Sequence, residues 1–383
     1  MKKKVIITLF VLLIFLIISP VAYADDELDV TINQQLDSID FDAIEEKWDD
    51  YIQQLTGSKT FREYIKDILD GKDNISIESI LSHLSSSAFS DVKVLIPMII
   101  SIVAVCIINS LVVGIKGEFL GASISSLLNT ICYCVVLVVS LKTLSHVASD
   151  TLQAVSSMQY VMQAVFPISI TLLSAVGCTS ASGGLALSMS MVSNLIVNIV
   201  SLMILPMFSA SMILAIVGNL SDNVKLSRLR SGVHSLASWI IGVVFGVFSI
   251  LITAQSVVAG SIDNVVVRSA KMALSGYVPI LGQYLSDGVD IVFTTTIMLK
   301  NAVGVGGLVI LVVSLLVPLV KVIVLSLAFR ITAGIIESFA QSRISKALEE
   351  FGKNVNLLTA SMLGCAFVTI VGLLTTINIG GIV

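Results

Sequence analysis

Charged and amide side chains inside apolar segments are the residues of this sequence best suited to transport or to ion pairing. Lys321 and Arg330 lie in one long apolar run, where a buried charge costs about 2.5 to 3.5 kcal/mol even on the gentler insertion scale. Charges kept at that cost are expected to pair or to line a polar path, unless they reach the interface from helix ends. The same set contains Asp287, Asp290 and Lys300, which bracket the preceding apolar run, and Asn194 and Asn198, two amides on one helix face.

Lys321 and Arg330 are expected to differ in role. They are nine residues apart, so they lie roughly 13 Å apart along a helix and on opposite faces of it. Pro318 opens this segment, which places Arg330 deeper and makes a partner more necessary there. Arg330 is therefore the stronger candidate for a functional or paired charge. Its candidate partners are Asp287, Asp290 and Glu337.

Other chemistry finds little support in the sequence. Cys132 and Cys134 could be imagined as a metal pair, but no second pair or histidine follows at ligand spacing. The three histidines form no nucleophile and base pattern, and no glycine-rich phosphate loop ends in Gly-Lys-Ser or Gly-Lys-Thr. We expect no catalytic residue, no cofactor and no metal. Any ATP-driven step then belongs to a separate subunit.

The elements that hold these residues are membrane helices. Of the 383 residues, 56% are hydrophobic and 13% charged, against roughly 25% charged in a soluble domain. Windows long enough to cross the hydrocarbon core number about eight to ten. The expected fold is all-α, a polytopic α-helical membrane bundle with a small exported helical domain at its N-terminus. The candidate spans are 94–114, 123–141, 161–178, 185–205, 206–219, 235–256, 277–298, 302–317, 318–338 and 357–379.

Two neighbouring spans have little sequence between them, and the prolines lie where they are expected to distort helices. Residues 185–219 barely supply two crossings, so one broken helix or a re-entrant hairpin is an alternative. Every proline beyond the leader lies inside or at the edge of an apolar segment, which predicts kinked or broken helices. These are Pro97, Pro167, Pro206, Pro279 and Pro318.

The first residues predict export. Three lysines precede the apolar run 5–18, which ends at the small-residue site Ala22-Tyr23-Ala24. This pattern is typical of a signal peptide spanning residues 1–24, with an uncleaved anchor as the alternative. Either way, the following residues are expected to cross the membrane.

Residues 25–93 form the predicted exported domain. They carry 17 acidic and 6 basic residues. Apolar residues recur at helical spacing, and Thr60 with Glu63 predicts a capping box before Phe61, Tyr64, Ile65, Ile68 and Leu69. The carboxylates lie on the opposite face, so we expect a partner-docking surface. Its candidate residues are Glu45, Glu46, Asp49 and Asp50.

Residues 94–383 form the predicted transmembrane domain, with 9 acidic and 13 basic residues. A weak internal repeat relates 161–256 to 277–379, because Phe166-Pro167-Ile168 and Val278-Pro279-Ile280 each precede a Val-Ser-Leu and a proline at similar intervals. The positive-inside rule, applied to ten spans, orients the domain. It places Lys116, Lys225, Arg228, Arg230, Lys300, Arg343, Lys346 and Lys353 in the cytoplasm, and Lys142, Arg268 and Lys271 outside.

Several blocks of the chain resemble the stage III sporulation protein AE family. The resemblance rests on the membrane entry from Asp91-Val92-Lys93 to Pro97, on Phe166-Pro167 followed by 172–177, and above all on a C-terminal block. That block contains Val278-Pro279-Ile280-Leu281-Gly282, Leu285-Ser286-Asp287, Asp290 and Lys300-Asn301-Ala302-Val303-Gly304. The similarity covers nearly the whole chain.

The resemblance implies a place in the mother-cell membrane around the forespore, with the exported domain in the intermembrane space. It also implies partners, namely the other proteins of the stage III sporulation A complex, their forespore partner and membrane lipid, but no nucleic acid. Two roles stay open. The protein is either a transporter-like or channel-forming component, or a scaffold that holds ring-forming channel proteins.

Overall fold

The computed structural model describes residues 26–45, 60–71, 77–116, 122–220, 226–277, 282–338 and 342–379, without the side chains of 26–30, 43, 77–81, 83–92, 94, 114–116, 122–123, 258–277, 282–290 and 342. Over these residues the fold is all-α, with no strand. The helices are α1 (Asp26–Asp37), α2 (Asp42–Glu45), α3 (Phe61–Leu69), α4 (Ile77–Lys116), α5 (Ala122–Ala175), α6 (Thr179–Ile199), α7 (Leu205–Leu220), α8 (Ser227–Tyr277), α9 (Gly282–Glu337) and α10 (Ser342–Asn378).

Helix α3 begins as the capping pattern predicts. The Thr60 side chain accepts a hydrogen bond from the Glu63 backbone N–H at 3.1 Å, which satisfies one of the unpaired donors of the first turn. The five apolar residues predicted for one face are all buried. That face packs on α9, and Phe41 adds an edge contact to Phe61 with ring centroids 5.6 Å apart.

Six apolar segments are long enough to cross a membrane within the described residues, which confirms the polytopic helical class. They are fewer than the eight to ten expected spans because neighbouring spans join into continuous helices. Residues 123–141 and 161–178 meet in α5, since the polar stretch between them contains no helix breaker. Residues 302–317 and 318–338 meet in α9, which continues through Pro318.

The crowded region 185–219 forms one irregular helical segment. A π-helical turn, Val200–Ile204, joins α6 to α7. Pro206 follows directly, and a proline lacks the N–H that would bond four residues back. The Leu205 N–H reaches Val200 O across the widened turn. The broken-helix alternative is therefore the observed one, and Pro97, Pro167 and Pro318 lie within helices that run on.

The six segments alternate in direction, so the bundle has two distinct ends. The basic end is defined by the helix termini near 116–122, 220–227 and 337–342, and the α3 end by those near 175–179, 277–282 and 378. Paired contacts fix the alternation: Asp150 meets Lys321, whereas Val165 approaches Gly307 further along. Helix α1 packs on α9 at the α3 end as well, where Gln35 donates a hydrogen bond to Thr296 at 3.0 Å.

Helix α9 occupies the centre of the bundle and packs most extensively on α10 and α5. Three glycines in one turn let three elements approach it. A β-carbon at Gly304 would meet Ile377 of α10 at 2.5 Å, one at Gly306 would meet Ile65 and Phe61 of α3 at 2.8 Å, and one at Gly307 would meet Val165 of α5 at 2.8 Å. Small residues serve close helix packing of this kind.

Candidate functional site

The charge at Lys321 is paired across two helices. Its Nζ lies 2.5 Å from an Asp150 carboxylate oxygen, and both side chains are about one-third exposed. The pair therefore joins α9 to α5 at the surface of the bundle. Of the two charges predicted on this segment, Lys321 has the carboxylate partner.

Arg330 lies against the early part of α10. Its Cγ comes within 3.0 Å of where a β-carbon of Gly352 would stand, and its Nε has no hydrogen-bond partner among the described residues. Glu349 of α10 lies within electrostatic range of it. The nearby carboxylate thus comes from α10 and is none of the predicted partners, whereas Glu337 is the last residue of α9 itself.

Lys300 is enclosed by the protein, with 1% of its surface exposed. Its Nζ donates hydrogen bonds to the carbonyl oxygens of Thr376 at 2.9 Å and Ile377 at 3.1 Å, and also to Ile379 O. These are among the last carbonyls of α10, which a helix leaves unpaired and which carry its partial negative charge. The ammonium group therefore closes the end of α10.

This position corrects the predicted side of Lys300. It lies at the α3 end, beside residues 376–379, while Arg343 and Lys346 begin α10 at the basic end. The 37 residues of α10 separate these ends by roughly 55 Å. Lys300 and Lys346 therefore cannot share one membrane face, and the Lys300 charge is neutralised by carbonyls rather than by cytoplasmic water.

Asn194 and Asn198 lie on the outer surface of the bundle, on α6. The Asn194 carboxamide accepts a hydrogen bond from Gln159 Nε2 of α5 at 3.1 Å and donates one to Ser190 O. Asn198 is exposed. The two amides therefore do not face the interior of the chain, and a polar path beside them would run along its outside.

Helix α5 continues this polar surface. From residue 142 to 175 its exposed residues are polar or small, and no large apolar side chain between Leu141 and Leu187 is exposed. The members at helical spacing lie within one narrow face. They are Ser149, Gln153, Gln163, Thr171 and Ser174, with half-buried Tyr160 between them.

We call these six residues, together with Ser190, Asn194 and Asn198, the neutral polar face. No Asp, Glu, Lys, Arg or His occurs between Asp150 and Asp222. Leu187 and Met191 border the face on α6 and are exposed. A surface of hydroxyls and amides without any charge, interrupted on α5 by the exposed Pro167, thus lies beside side chains suited to lipid.

The interior of the chain contains buried polar contacts, such as Ser211 to Asn354 at 2.7 Å and Ser326 to Gly352 O at 2.8 Å, but the middle of α9 is apolar. The middle of α9, from 302 to 316, is almost wholly buried and apolar. Buried Ser and Thr side chains elsewhere in the bundle mostly bond a carbonyl of their own helix, as Thr332 of α9 and Thr369 of α10 do. Lys300, Lys321 and Arg330 share α9 but are spaced along it, so the structure does not gather them into one site.

Other predicted residues fall beyond what can be described. The side chains of Asp287 and Asp290 lie outside the described set, as do residues Glu46, Asp49 and Asp50. Glu45 ends α2 and is half-buried. No group of three or more His, Cys, Asp and Glu side chains suited to a metal occurs in the described part of the chain.

A polar cluster at the basic end went unnoticed in the sequence. Glu350 of α10 forms an ion pair with Arg230 of α8 and accepts a hydrogen bond from Asn219 of α7 at 2.6 Å. The sequence placed Arg230 in a loop, but it lies in the first turn of α8. Only the fold brings these three helices together. The neutral polar face, by contrast, had a visible signal, namely the long interval without ionisable residues.

Comparisons with known proteins give a consistent result. The family model for stage III sporulation protein AE matches residues 59–380, which is most of the chain. A relative from Bacillus subtilis (strain 168), named "Stage III sporulation protein AE", is 23% identical over 330 residues, covering 85% of this chain and 82% of the relative. No solved structure gives a significant match.

Proposed function

Since the chain belongs to the stage III sporulation protein AE family and so has a role in sporulation, we propose that it is a channel-forming membrane component of the complex that links mother cell and forespore. It acts after engulfment, in support of forespore development. It sits in the mother-cell membrane around the forespore. Its partners are the other stage III sporulation A proteins and a forespore protein, and energy comes from a separate ATPase.

The neutral polar face carries this proposal. Lipid cannot satisfy the hydrogen-bonding groups of Gln153, Gln163 and Asn198, and leaving such groups unpaired in hydrocarbon is costly. A polar path along the outside of the bundle gives them water or polar neighbours. The apolar packing around α9 supports a path outside the single chain rather than through it.

The helix alternation supports an orientation for the chain. Lys116, Arg228 and Arg343 lie at or beside the basic end, which the positive-inside rule assigns to the cytoplasm. The exported domain and Lys300 then lie on the other side, in the intermembrane space. Reporter fusions after Thr60 and after Arg228 should report opposite sides, and reports from the same side would contradict this topology.

The test of the function is flux through reconstituted protein. Purified full-length chain in liposomes should pass potassium ions, and Asn198→Leu should reduce that flux several-fold because it replaces an exposed amide of the path. Ile250→Leu, on an exposed apolar face of α8, is the matched control and should conduct normally. Absence of flux from the chain alone and from the chain with its complex partners would overturn the proposal.

A scaffold is the second candidate, and the docking of the exported domain favours it. Phe61, Tyr64 and Ile65 are each at most 1% exposed because they are packed on α9, so the domain is held rigidly and can present its acidic side to partners. Reversing Glu45, Glu46, Asp49 and Asp50 to lysine should then weaken co-purification of the partners. A scaffold would lose assembly with these changes yet show no flux in liposomes.

A further inference from the structure

In the described part of the chain the neutral polar face is exposed, apart from the half-buried Tyr160. Water-facing surfaces of proteins are rich in charge, with roughly a quarter or more of their residues ionisable, but no Asp, Glu, Lys, Arg or His occurs from 151 to 221. Lipid-facing surfaces are apolar, as the exposed Leu127, Ile131 and Val138 of α5 are. The face on α5 and α6 has neither composition.

Its composition matches that of helix interfaces inside membranes. Such interfaces are enriched in Ser, Thr and Gly, which allow backbones to approach, and in Asn and Gln, which bond across helices. Here Ser149, Ser174 and Ser190 alternate with Gln163 and Asn198 along the two adjacent helices. The Gln159 to Asn194 hydrogen bond already joins those helices in this way within the chain.

We propose that the neutral polar face binds the same region of a second copy of this chain. Hydroxyl and carboxamide groups are both donors and acceptors, so a neutral face of this kind can satisfy itself when two copies meet about a symmetry axis. A charged partner would instead bring groups that find no opposite charge between 151 and 221. Asp150, which follows Ser149, is already paired with Lys321, and the exposed Lys142 lies two turns before Ser149, at the edge of the face.

The inference rests on the proposed function in one respect, since the second copy would form the other side of the proposed polar path. Contact between copies places the polar path at their seam. The contact itself does not require conduction, so the two claims can fail separately.

Cross-linking between tagged copies tests the contact. In full-length protein carrying Cys134→Ser, which removes an exposed thiol, single substitutions Ser149→Cys, Gln163→Cys, Ser174→Cys and Asn198→Cys are treated with a short bifunctional maleimide in native membranes. All four positions are exposed or polar surface sites, so the fold should tolerate them. Two differently tagged copies are expressed together in cells that lack the other sporulation proteins.

The expected product has twice the mass of the chain and carries both tags. The matched controls Val138→Cys and Ile250→Cys lie on exposed apolar surfaces and should give at least five-fold less product. Product that pairs the chain with another protein, or labelling of the face by a membrane-impermeant maleimide without product, would overturn the inference. Equal product from face and control positions would also overturn it.

The flux assay then separates the two claims. If cross-linked product carries both tags but the protein conducts no potassium, the contact between copies is supported and the channel function is contradicted. If the protein conducts potassium but yields no cross-linked product with both tags, the channel function is supported and the contact between copies is contradicted.

Discussion

The two halves of α5 are equally helical but present different surfaces. From residue 124 to 141 the exposed side chains include Leu127, Ile131 and Val138, whereas from 142 to 175 they are polar or small. The buried side is mainly apolar in both halves, with Val136 in the first and Val155 and Val165 in the second, although Ser140, Thr151 and Ser169 are buried as well. One unbroken helix therefore exposes an apolar surface in its first half and a polar surface in its second half.

The length of α5 gives the physical reason for the difference. Its candidate membrane segment of 52 residues is about 78 Å long, more than twice the roughly 30 Å of a hydrocarbon core. A single perpendicular crossing cannot place both halves in lipid. The polar half is therefore free to face another protein or water.

The largest effect is expected for a substitution in the first half of α5, where the exposed side chains are apolar. Val138→Asp should cost about 3 kcal/mol of insertion free energy because it places a carboxylate against hydrocarbon. The amount of protein in washed membranes should fall sharply. Gln163→Asp, in the polar half, should leave that amount near the level of the unmodified chain, and an equal loss from both variants would contradict the comparison.

The second effect concerns the end of the bundle near the polar half. Lys300→Met should destabilise the protein by about 2 to 3 kcal/mol, because hydrogen bonds from a charged donor are lost and buried carbonyls of α10 are left unpaired. The apparent Tm in detergent, followed by fluorescence-detected gel filtration, measures it. Lys321→Met serves as the control and should lower the Tm less, since Lys321 is partly exposed.

The buried side of the polar half gives the third test. Gly307→Leu should cost about 2 kcal/mol, because added carbon atoms would press on Val165, which a β-carbon already meets at 2.8 Å. Gly242→Leu is matched to it, since nothing lies within 4 Å of a β-carbon there. Similar Tm changes for both would mean that close packing of α9 on α5 contributes little.

A smaller effect is expected beyond the junction of the two halves. Asp150→Asn should destabilise the protein by about 1 kcal/mol, as expected for an ion pair that is partly exposed. The double variant Asp150→Asn with Lys321→Gln should recover part of that loss, because no charge is then left unpaired. A double variant as unstable as the two single losses added together would show that the residues do not interact.

The smallest effect on stability is expected for a substitution on the polar half of α5, which tests whether that half has a role in function. Gln163→Leu should change the Tm by an amount equivalent to less than about 0.5 kcal/mol, since exposed substitutions seldom matter more. Spore formation should nevertheless fall, because the hydrogen-bonding surface is interrupted. Normal spore counts from Gln163→Leu and Asn198→Leu together would show that this face has no part in the function.

Local sequence was sufficient for helix α3 and for the helical class. The Thr60 cap and the buried face of α3 depend on residues three or four apart, so periodicity predicts them. Span boundaries were harder, because a polar stretch such as Lys142 to Asp150 interrupts hydropathy without interrupting a helix. Pro318 likewise remained inside α9.

Partner choice could not be predicted in the same way. Lys321 and Asp150 are 171 positions apart in the chain, and the carboxylate near Arg330 comes from α10 rather than α9. Lys300 has backbone carbonyls as acceptors, and these carry no sequence signal. The neutral polar face needed both sources, since composition shows its lack of charge and only packing shows that it points outward.

Composition and spacing by themselves determined that this chain is a helical membrane protein with an acidic segment over residues 25–93, because hydropathy, periodicity and capping act between near neighbours. The tertiary structure alone decided which charges are neutralised, which glycines admit a neighbouring helix, and which amides stay on the outside. Those outcomes depend on the approach of segments far apart in sequence, and the antiparallel packing of α5, α9 and α10 sets that approach.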